Sequence, residues 1–362
     1  MQVGILGGGQ LARMLILEAH RMGLNPHVLC ANAEDPAAKV CANRFFGALD
    51  QIPTLSTFAK TVDALTVESE FLNTQVVSDS IKGKTFEPQL AVLETLQDRL
   101  TQKQLLRDFG IPTAPFCAWN HESEIKDLFA TFAFGFVLKK RRFGYDGYGT
   151  FVFKKTSAKP APVVPADKNG FIAERFIPFK RELAFSLARN GKKQFAVFPL
   201  VETKQVNSRC LWVKGPIKHR KFTALVERFQ KMMNKLDYRG LLAVELFEAD
   251  GQLIVNELAP RVHNSAHYSL NALTLNQFEA HWRGVLNWPL KNPEPLAKGF
   301  AMVNLLGEGG EIHLSEASLG WLHWYDKNEN RLGRKLGHIT VTGKSPEDAL
   351  KTALKWRKGF QL

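Results

Sequence analysis

The sequence predicts an α/β protein of two or three domains, and three features carry that prediction. The chain has 362 residues, more than one hydrophobic core normally serves. Its first ~95 residues alternate short apolar strands with helices, the pattern of a parallel sheet. Farther on, the apolar runs Leu241-Leu242-Ala243-Val244 and Leu253-Ile254-Val255 flank Asp250-Gly251, a hairpin signal.

Val3-Gly4-Ile5-Leu6 is a strand. Gly7-Gly8-Gly9-Gln10-Leu11-Ala12 follows, then a helix with apolar face Leu11, Met14, Leu15 and Leu17 that Gly23 stops. A glycine-rich turn from strand to helix opens a Rossmann-like unit, here with Ala12 in the third glycine position. A dinucleotide site would want an acid after the second strand, residues 26–30, where Ala31 stands instead. The turn therefore reads as a helix N-terminus facing an anion, with NAD as the alternative. Residues 64–67 form another strand, ending in Glu68-Ser69-Glu70. A helix carrying Gln97-Asp98-Arg99 and Thr101-Gln102-Lys103 runs to Gly110, and the extended linker Ile111-Pro112-Thr113-Ala114-Pro115 sets a domain boundary near residue 95.

Asn120 is expected to cap a helix reaching Phe132. A strand over 134–139 leads into Lys139-Lys140-Arg141-Arg142-Phe143-Gly144-Tyr145-Asp146-Gly147-Tyr148-Gly149-Thr150, and Phe151-Val152-Phe153 closes a hairpin. The amides of Gly144, Gly147 and Gly149 can approach phosphates closely and the preceding cations supply charge; an ordinary basic hairpin is the alternative. Residues 171–177 form a strand, Glu182 begins another apolar run, and 208–221 read as a basic loop. Phe222, Leu225, Val226, Phe229, Met232 and Met233 mark a helix whose stripe faces the core. In the tail, Arg331, Arg334 and Lys335 around Gly333 suit a phosphate monoester.

The strand Leu253-Ile254-Val255 runs straight into Asn256-Glu257, a placement that is costly unless the carboxylate has a partner. Register decides the partner. A two-residue Asp250-Gly251 loop would pair Glu245 with Asn256; a three-residue loop including Gln252 would pair Glu245 with Glu257 and aim two carboxylates at one spot. Like charges that close hold a cation or share a proton, and oxygen ligands suit Mg²⁺. Two solvated strand-end glutamates are the alternative. If the chain past Pro260 is extended, Arg261, His263 and Ser265 share a face beside this spot.

Composition limits the function classes. A hydrophobic content of 45% is ordinary for a globular protein. No apolar run approaches the ~20 residues that span a membrane, and the N-terminus lacks a signal-peptide layout, so a cytoplasmic protein without a membrane partner is expected. Cys30, Cys41, Cys117 and Cys210 are scattered without metal-ligand spacing and read as free thiols. The net charge of +13 fits anionic small substrates. Its cations are spread along the chain without a nucleic-acid module, so no nucleic-acid partner is expected.

With these residues on the page, the chain resembles the N5-carboxyaminoimidazole ribonucleotide synthetases, ATP-grasp enzymes of purine biosynthesis. The likeness runs from Gly7-Gly8-Gly9-Gln10-Leu11 to Gly333-Arg334-Lys335-Leu336-Gly337-His338. Between them lie Asp98-Arg99 with Lys103, Gly144-Tyr145-Asp146-Gly147, residues 256–267, and Trp324-Tyr325-Asp326-Lys327. The resemblance implies an ATP-grasp fold: a Rossmann-like pre-ATP-grasp domain over 1–95, an ATP-grasp domain over 96–295 with a lid over about 113–178, and a substrate-phosphate-binding domain over 296–362. It implies carboxylation of 5-aminoimidazole ribonucleotide with bicarbonate and ATP, through carboxyphosphate, by a homodimer. Another ATP-grasp ligase, a formyl-phosphate-forming relative or a nucleotide-binding homologue without turnover are the alternatives.

Carried over by resemblance, Arg99 and Lys139 contact ATP phosphates and Gly144 to Thr150 cover them. Glu174, Arg175, Phe176 and Ile177 form the adenine hinge, Glu182 holds the ribose, and Gln205 stands where His is common. Glu245 and Glu257, with Asn256 nearby, hold Mg²⁺, or Mn²⁺ in its place. Tyr145, Asp146, Arg261, His263 and Asn264 surround the aminoimidazole and carboxyphosphate. Lys327, Arg331, Arg334 and Lys335 grip the ribonucleotide phosphate, and Gln10 and Glu68 to Glu70 line the first domain's wall. Phe143 replaces a usual loop glycine, Tyr148 a common basic residue and Thr150 a Gln or Asn, changes that bear on lid closure and ATP affinity.

Overall fold

The computed structural model describes residues 1–120, 124–144, 147–155, 162–314 and 320–362. Strands β1 (Gln2–Leu6), β2 (Asn25–Cys30), β3 (Asn43–Phe46), β4 (Ala64–Val67) and β5 (Thr85–Phe86) form a parallel sheet in the order β3-β2-β1-β4-β5. Helices α1 (Gln10–Arg21), α2 (Ile52–Ala59), α3 (Thr74–Ser80) and α4 (Leu90–Gln97) supply its crossovers and cover. Helix α1 buries Ala12, Met14, Leu15, Ile16 and Ala19. Leu17, expected on that face, is half-exposed, because its neighbours at helical spacing already fill the stripe.

The expected single helix through Gln97-Asp98-Arg99 is two. Asp98 leaves helical geometry and its carboxylate accepts from Leu100 N–H, capping α5 (Arg99–Asp108). A four-stranded antiparallel sheet follows, built from β6 (Phe116–Trp119), β7 (Gly135–Lys140), β8 (Thr150–Lys154) and β9 (Phe171–Arg175) in the order β6-β9-β7-β8. Helix α6 (Ile125–Thr131) begins five residues past Asn120; Glu124 occupies its N-cap position, so Asn120 is not the cap.

The largest sheet joins β10 (Arg181–Arg189), β11 (Phe195–Val197), β12 (Val201–Val206) and β13 (Arg209–Gly215) to the hairpin β14 (Gly240–Ala249) and β15 (Gln252–Ala259). The expected loop over 208–221 is overturned over 209–215 by β13, in which Cys210, Val213 and Gly215 are buried despite the basic residues between them, while 216–221 is irregular as expected. Helix α7 (Phe222–Lys235) lays Leu225, Val226, Phe229, Met232 and Met233 into the core, as its spacing predicts. After α8 (Ser269–Ala272) and α9 (Gln277–Val285), strands β16 (Gly299–Leu306), β18 (Trp321–Trp324) and β19 (Lys335–Gly343) extend the same sheet. Between β16 and β18, β17 (His313–Leu314) pairs with the last strand, β20 (Phe360–Gln361), which follows α10 (Pro346–Arg357).

Helix α9 ties the first sheet to the largest one. Trp282, fully buried, donates from Nε1 to Leu15 O (3.0 Å). His281 bridges in the same place: Leu241 N–H donates to Nδ1 (3.1 Å), and Nε2 lies 2.7 Å from Thr66 Oγ1, which donates to Glu87 O. That network fixes a neutral ring with its proton on Nε2, and burial pushes its pKa down to about 3. A folded-state pKa below the unfolded value gives stability that is present above about pH 6.5 and lost below it. His281→Gln is therefore expected to lower stability at pH 7.5, yet to reduce its further fall between pH 6.5 and 5.5 by about 1 kcal/mol. Urea unfolding at the three pH values measures this, and an unchanged slope would contradict the assignment.

Candidate functional site

The three sheets and the tail enclose a cavity of about 790 Å³. Gln10, Glu68 and Glu70 form its first-domain wall, Lys139, Thr150 and Glu174 come from the four-stranded sheet, and Glu245, Asn256 and Glu257 from the β14–β15 hairpin. Lys327, Arg334 and Lys335 line it from the tail. Arg175, Phe176, Ile177, Glu182 and Gln205 also line it.

Glu245 and Glu257 pair directly, by a route other than the one expected. The turn is the two-residue Asp250-Gly251 loop, with Ala249 opposite Gln252. Register then slips by one residue between Glu245 and Leu246, leaving Asn256 as the extra residue of a β-bulge. The bulge brings two carboxylates opposite one another, and burial, then the Glu257 charge, pushes the Glu245 carboxyl up to about 7. Such a pair fits a divalent cation, which would relieve the repulsion. No cluster of three His, Cys, Asp or Glu suited to a metal occurs among the described residues, so remaining ligands would come from substrate oxygens.

Arg99 holds this floor to the loop above it. Its guanidinium pairs with Glu257 at 2.8 Å and donates to Lys140 O and Gly144 O. A Cβ on Gly144 would lie 2.5 Å from Arg99 Nη1, so glycine permits that approach. Lys139 donates to Asn256 Oδ1 at 2.9 Å. The Glu174 carboxylate is buried between Lys103 and Lys139, each at 3.2 Å. Although burial pushes it up, the two lysines hold it below the ordinary carboxylate range.

The glycine turn faces an anion, but one from the chain itself. Glu68 accepts from Gly9 N–H (2.7 Å) and Ala12 N–H (3.0 Å), occupying the N-terminus of α1. A Cβ on Gly7, at φ +119°, would meet Glu68 Cγ at 2.4 Å, which accounts for glycine there without a bound phosphate. The expectation of an external anion at this turn is thus corrected, and NAD loses its phosphate subsite.

Beside the carboxylates, Arg261 is ion-paired with Glu70 and the His263 ring lies 3.7 Å from Glu245. Burial, then Arg261 and Lys335, pushes the His263 pKa down to about 3, so the ring is neutral. Ser265 N–H approaches Nδ1 at 3.3 Å, which leaves the ring proton on Nε2, toward the cavity. Residues 264–266 form a short 3₁₀ turn rather than an extended run, so Ser265 supports His263 from below instead of sharing its face. Asn264 exchanges hydrogen bonds with Asn304, both buried. Lys327 donates to Gln10 Oε1 at 2.6 Å, and Arg334 pairs with Glu329 at 3.2 Å.

Several expected residues stand elsewhere. Arg331 is largely exposed, pairs with Glu329 and borders an adjacent shallow cavity instead. Tyr148 and Gly149 do not line the main cavity; the Tyr148 ring lies under Lys140 Nζ at 5.0 Å. Tyr145 and Asp146 lie outside the described residues. Phe143 adopts φ +61°, a left-handed conformation costing a bulky residue of order 1–3 kcal/mol, and its ring lies 6.0 Å from Phe71 of the first domain.

An apolar end of the cavity was not anticipated. Ala114, Val137, Val152 and Val255 line a slot with Phe179 and Phe247, whose rings stack at 4.5 Å and 5°. Such a slot suits a flat base. Its one available signal was Phe247, two residues past Glu245 on the same strand.

Comparisons agree with this geometry. Residues 1–97 match the ribonucleotide synthetase preATP-grasp domain, 104–278 the ATP-grasp domain and 301–352 the phosphoribosylaminoimidazole carboxylase C-terminal domain. N5-carboxyaminoimidazole ribonucleotide synthase of Synechococcus elongatus is 37% identical over 352 residues, covering 94% of this chain and 89% of that one. The Staphylococcus aureus N5-carboxyaminoimidazole synthetase complexed with ADP superposes with a TM-score of 0.87 at 27% identity, covering 98% of this chain and 96% of the other. The Aspergillus clavatus N5-carboxyaminoimidazole synthase in complex with ADP and 5-aminoimidazole ribonucleotide gives 0.83 at 27% identity, covering 99% and 98%.

Proposed function

The chain belongs to the N5-carboxyaminoimidazole ribonucleotide synthase family, and from that membership we infer how its residues serve the reaction. It is an ATP-dependent ligase of purine biosynthesis with the ATP-grasp fold. ATP phosphorylates bicarbonate, and the carboxyl of the resulting carboxyphosphate passes to the amine of 5-aminoimidazole ribonucleotide. The products are N5-carboxyaminoimidazole ribonucleotide, ADP and phosphate.

Phosphoryl transfer is chiefly positioning and charge neutralisation. In this reading the base lies against the stacked Phe179–Phe247 pair and the hinge 174–177, and Glu182 takes the ribose hydroxyls. Lys139 and Arg99 turn from Asn256 and Glu257 toward the phosphates. Glu245 and Glu257 would hold Mg²⁺, which when bound neutralises charge on the phosphate oxygens. Mn²⁺ would suit the same oxygen donors. Arg261 and His263 face the reacting end. The ring proton on Nε2 makes His263 a donor that orients a substrate oxygen rather than a base. Lys327, Arg334 and Lys335 grip the ribonucleotide phosphate, and Gly144 to Thr150, with Tyr145 and Asp146, close over labile carboxyphosphate.

The division at residues 95 and 295, a homodimer and a cytoplasmic location complete the reading; no helix among the described residues is long and apolar enough to cross a membrane. What carries it is the bulge-set Glu245–Glu257 pair in a cavity that also holds an aromatic slot and the tail cations Lys327, Arg334 and Lys335. Phosphate release should require both bicarbonate and 5-aminoimidazole ribonucleotide. Release with formate in place of bicarbonate would transfer the chain to a formyl-phosphate chemistry, and no substrate-dependent release would make it a binding protein.

A further inference from the structure

A buried lysine that the reaction does not use stands behind the cavity wall. Lys103, on α5, is 1% exposed. Its ammonium donates to Thr113 Oγ1 (2.7 Å) and Val255 O (3.1 Å) and pairs with Glu174 Oε2 at 3.2 Å. The other oxygen, Glu174 Oε1, is 3.2 Å from Lys139 Nζ. With three N–H donors, Lys139 meets that oxygen and Asn256 Oδ1 (2.9 Å) at once, so Glu174 shares this ammonium rather than holding it alone. Two cations and one carboxylate thus form a line from the back of the sheet to the cavity, with one positive charge in surplus.

The surplus matters because of what a simple pair would do. A buried carboxylate with a single lysine makes a tight, neutral, hydrogen-bonded pair. Glu174 with Lys139 alone would draw that ammonium off Asn256 and compete with an incoming triphosphate. With Lys103 behind it, Glu174 already has a counter-charge that cannot leave, since Thr113 and Val255 hold the Lys103 ammonium from the other side. We propose that Lys103 is a positioning residue for ATP: it engages Glu174 from behind and so leaves Lys139 free to turn toward the triphosphate.

The inference rests on Lys139 contacting ATP, and the experiment separates the two. Calorimetric ATP affinity and the KM values for ATP and for 5-aminoimidazole ribonucleotide are measured for wild type, Lys139→Ala, Lys103→Met and Lys103→Met/Glu174→Gln. Lys139→Ala should weaken ATP; if it does not, both the role of Lys139 and this inference fall. Lys103→Met is expected to weaken ATP about tenfold, one charge-assisted hydrogen bond's worth, with the ribonucleotide KM within about twofold. The double variant removes the competing carboxylate charge as well, and because the hinge meets the base through its backbone, ATP affinity should recover severalfold relative to Lys103→Met. Lysine acting only as structural support would instead shift both KM values together and show no recovery in the double variant. Either of those results, or unchanged ATP affinity in Lys103→Met, overturns the proposal while leaving Lys139 in place. Should Lys103→Met fail to fold, the double variant, with no buried charge unpaired, decides alone: ATP binding lost in it as in Lys139→Ala overturns the proposal, and retained binding supports it.

Discussion

Glu257→Gln is expected to lower the turnover number for phosphate release at least about a hundredfold, while thermal unfolding of the ligand-free protein stays close to wild type. The two halves of that expectation have separate causes. Turnover suffers because Glu257 is one of two carboxylates facing a single point on the cavity floor, and Gln brings the same shape without the charge. With no third acidic or histidine ligand clustered among the described residues, the remaining glutamate cannot compensate. The fold survives because the Glu257 side chain is a third exposed and sits at the polar end of its strand. Its amide oxygen can still accept from Arg99, and Glu245 loses the neighbouring charge that, after burial, raises its pKa. Unchanged phosphate release would remove the pair from the metal site. A large loss of stability would mean that the Arg99 pair, not metal charge, explains the residue.

The same hairpin shows how far a sequence reaches into a structure. Apolar runs around Asp250-Gly251 announce two paired strands, and their polar ends announce a site. Periodicity cannot announce the bulge at Asn256, because a bulge breaks the very alternation from which register is read. The face shared by Glu245 and Glu257 followed from a correct demand, that charges so placed need a partner, and not from the loop length invoked to deliver it. At the glycine turn, the motif signals a helix N-terminus in want of an anion. Whether that anion is a ligand or Glu68, fifty-nine residues from Gly9, is a tertiary fact. Glu174 is similar: within an apolar strand it reads as part of a hinge, and only packing places Lys103 and Lys139 on either side of it. Local patterns specify elements, and long-range pairings decide which charges meet. Even residues 209–215 of the apparent loop became β13, because β12 and β16 lay on either side to receive them.

Arg334→Ala should raise the KM for 5-aminoimidazole ribonucleotide by about ten- to a hundredfold and change the KM for ATP less than about threefold. Arg334 lines the cavity with Lys327 and Lys335, the tail cations read as holding the ribonucleotide phosphate, so its charge is expected to serve one substrate and not the other. In the ligand-free protein Glu329 occupies it at 3.2 Å, an exposed partner that an incoming dianion can displace at little cost. Lys327 is already aimed by Gln10, so removing Arg334 leaves a second cation in position and keeps the loss within that range. A truncated substrate isolates the contact. 5-Aminoimidazole ribonucleoside, which lacks the phosphate, should react poorly with the wild type and no worse with Arg334→Ala, because the interaction has already been removed from the ligand side. If the variant impairs nucleoside and nucleotide alike, Arg334 acts through the local fold around Gly333, and the phosphate must be held by Lys327 and Lys335 without it.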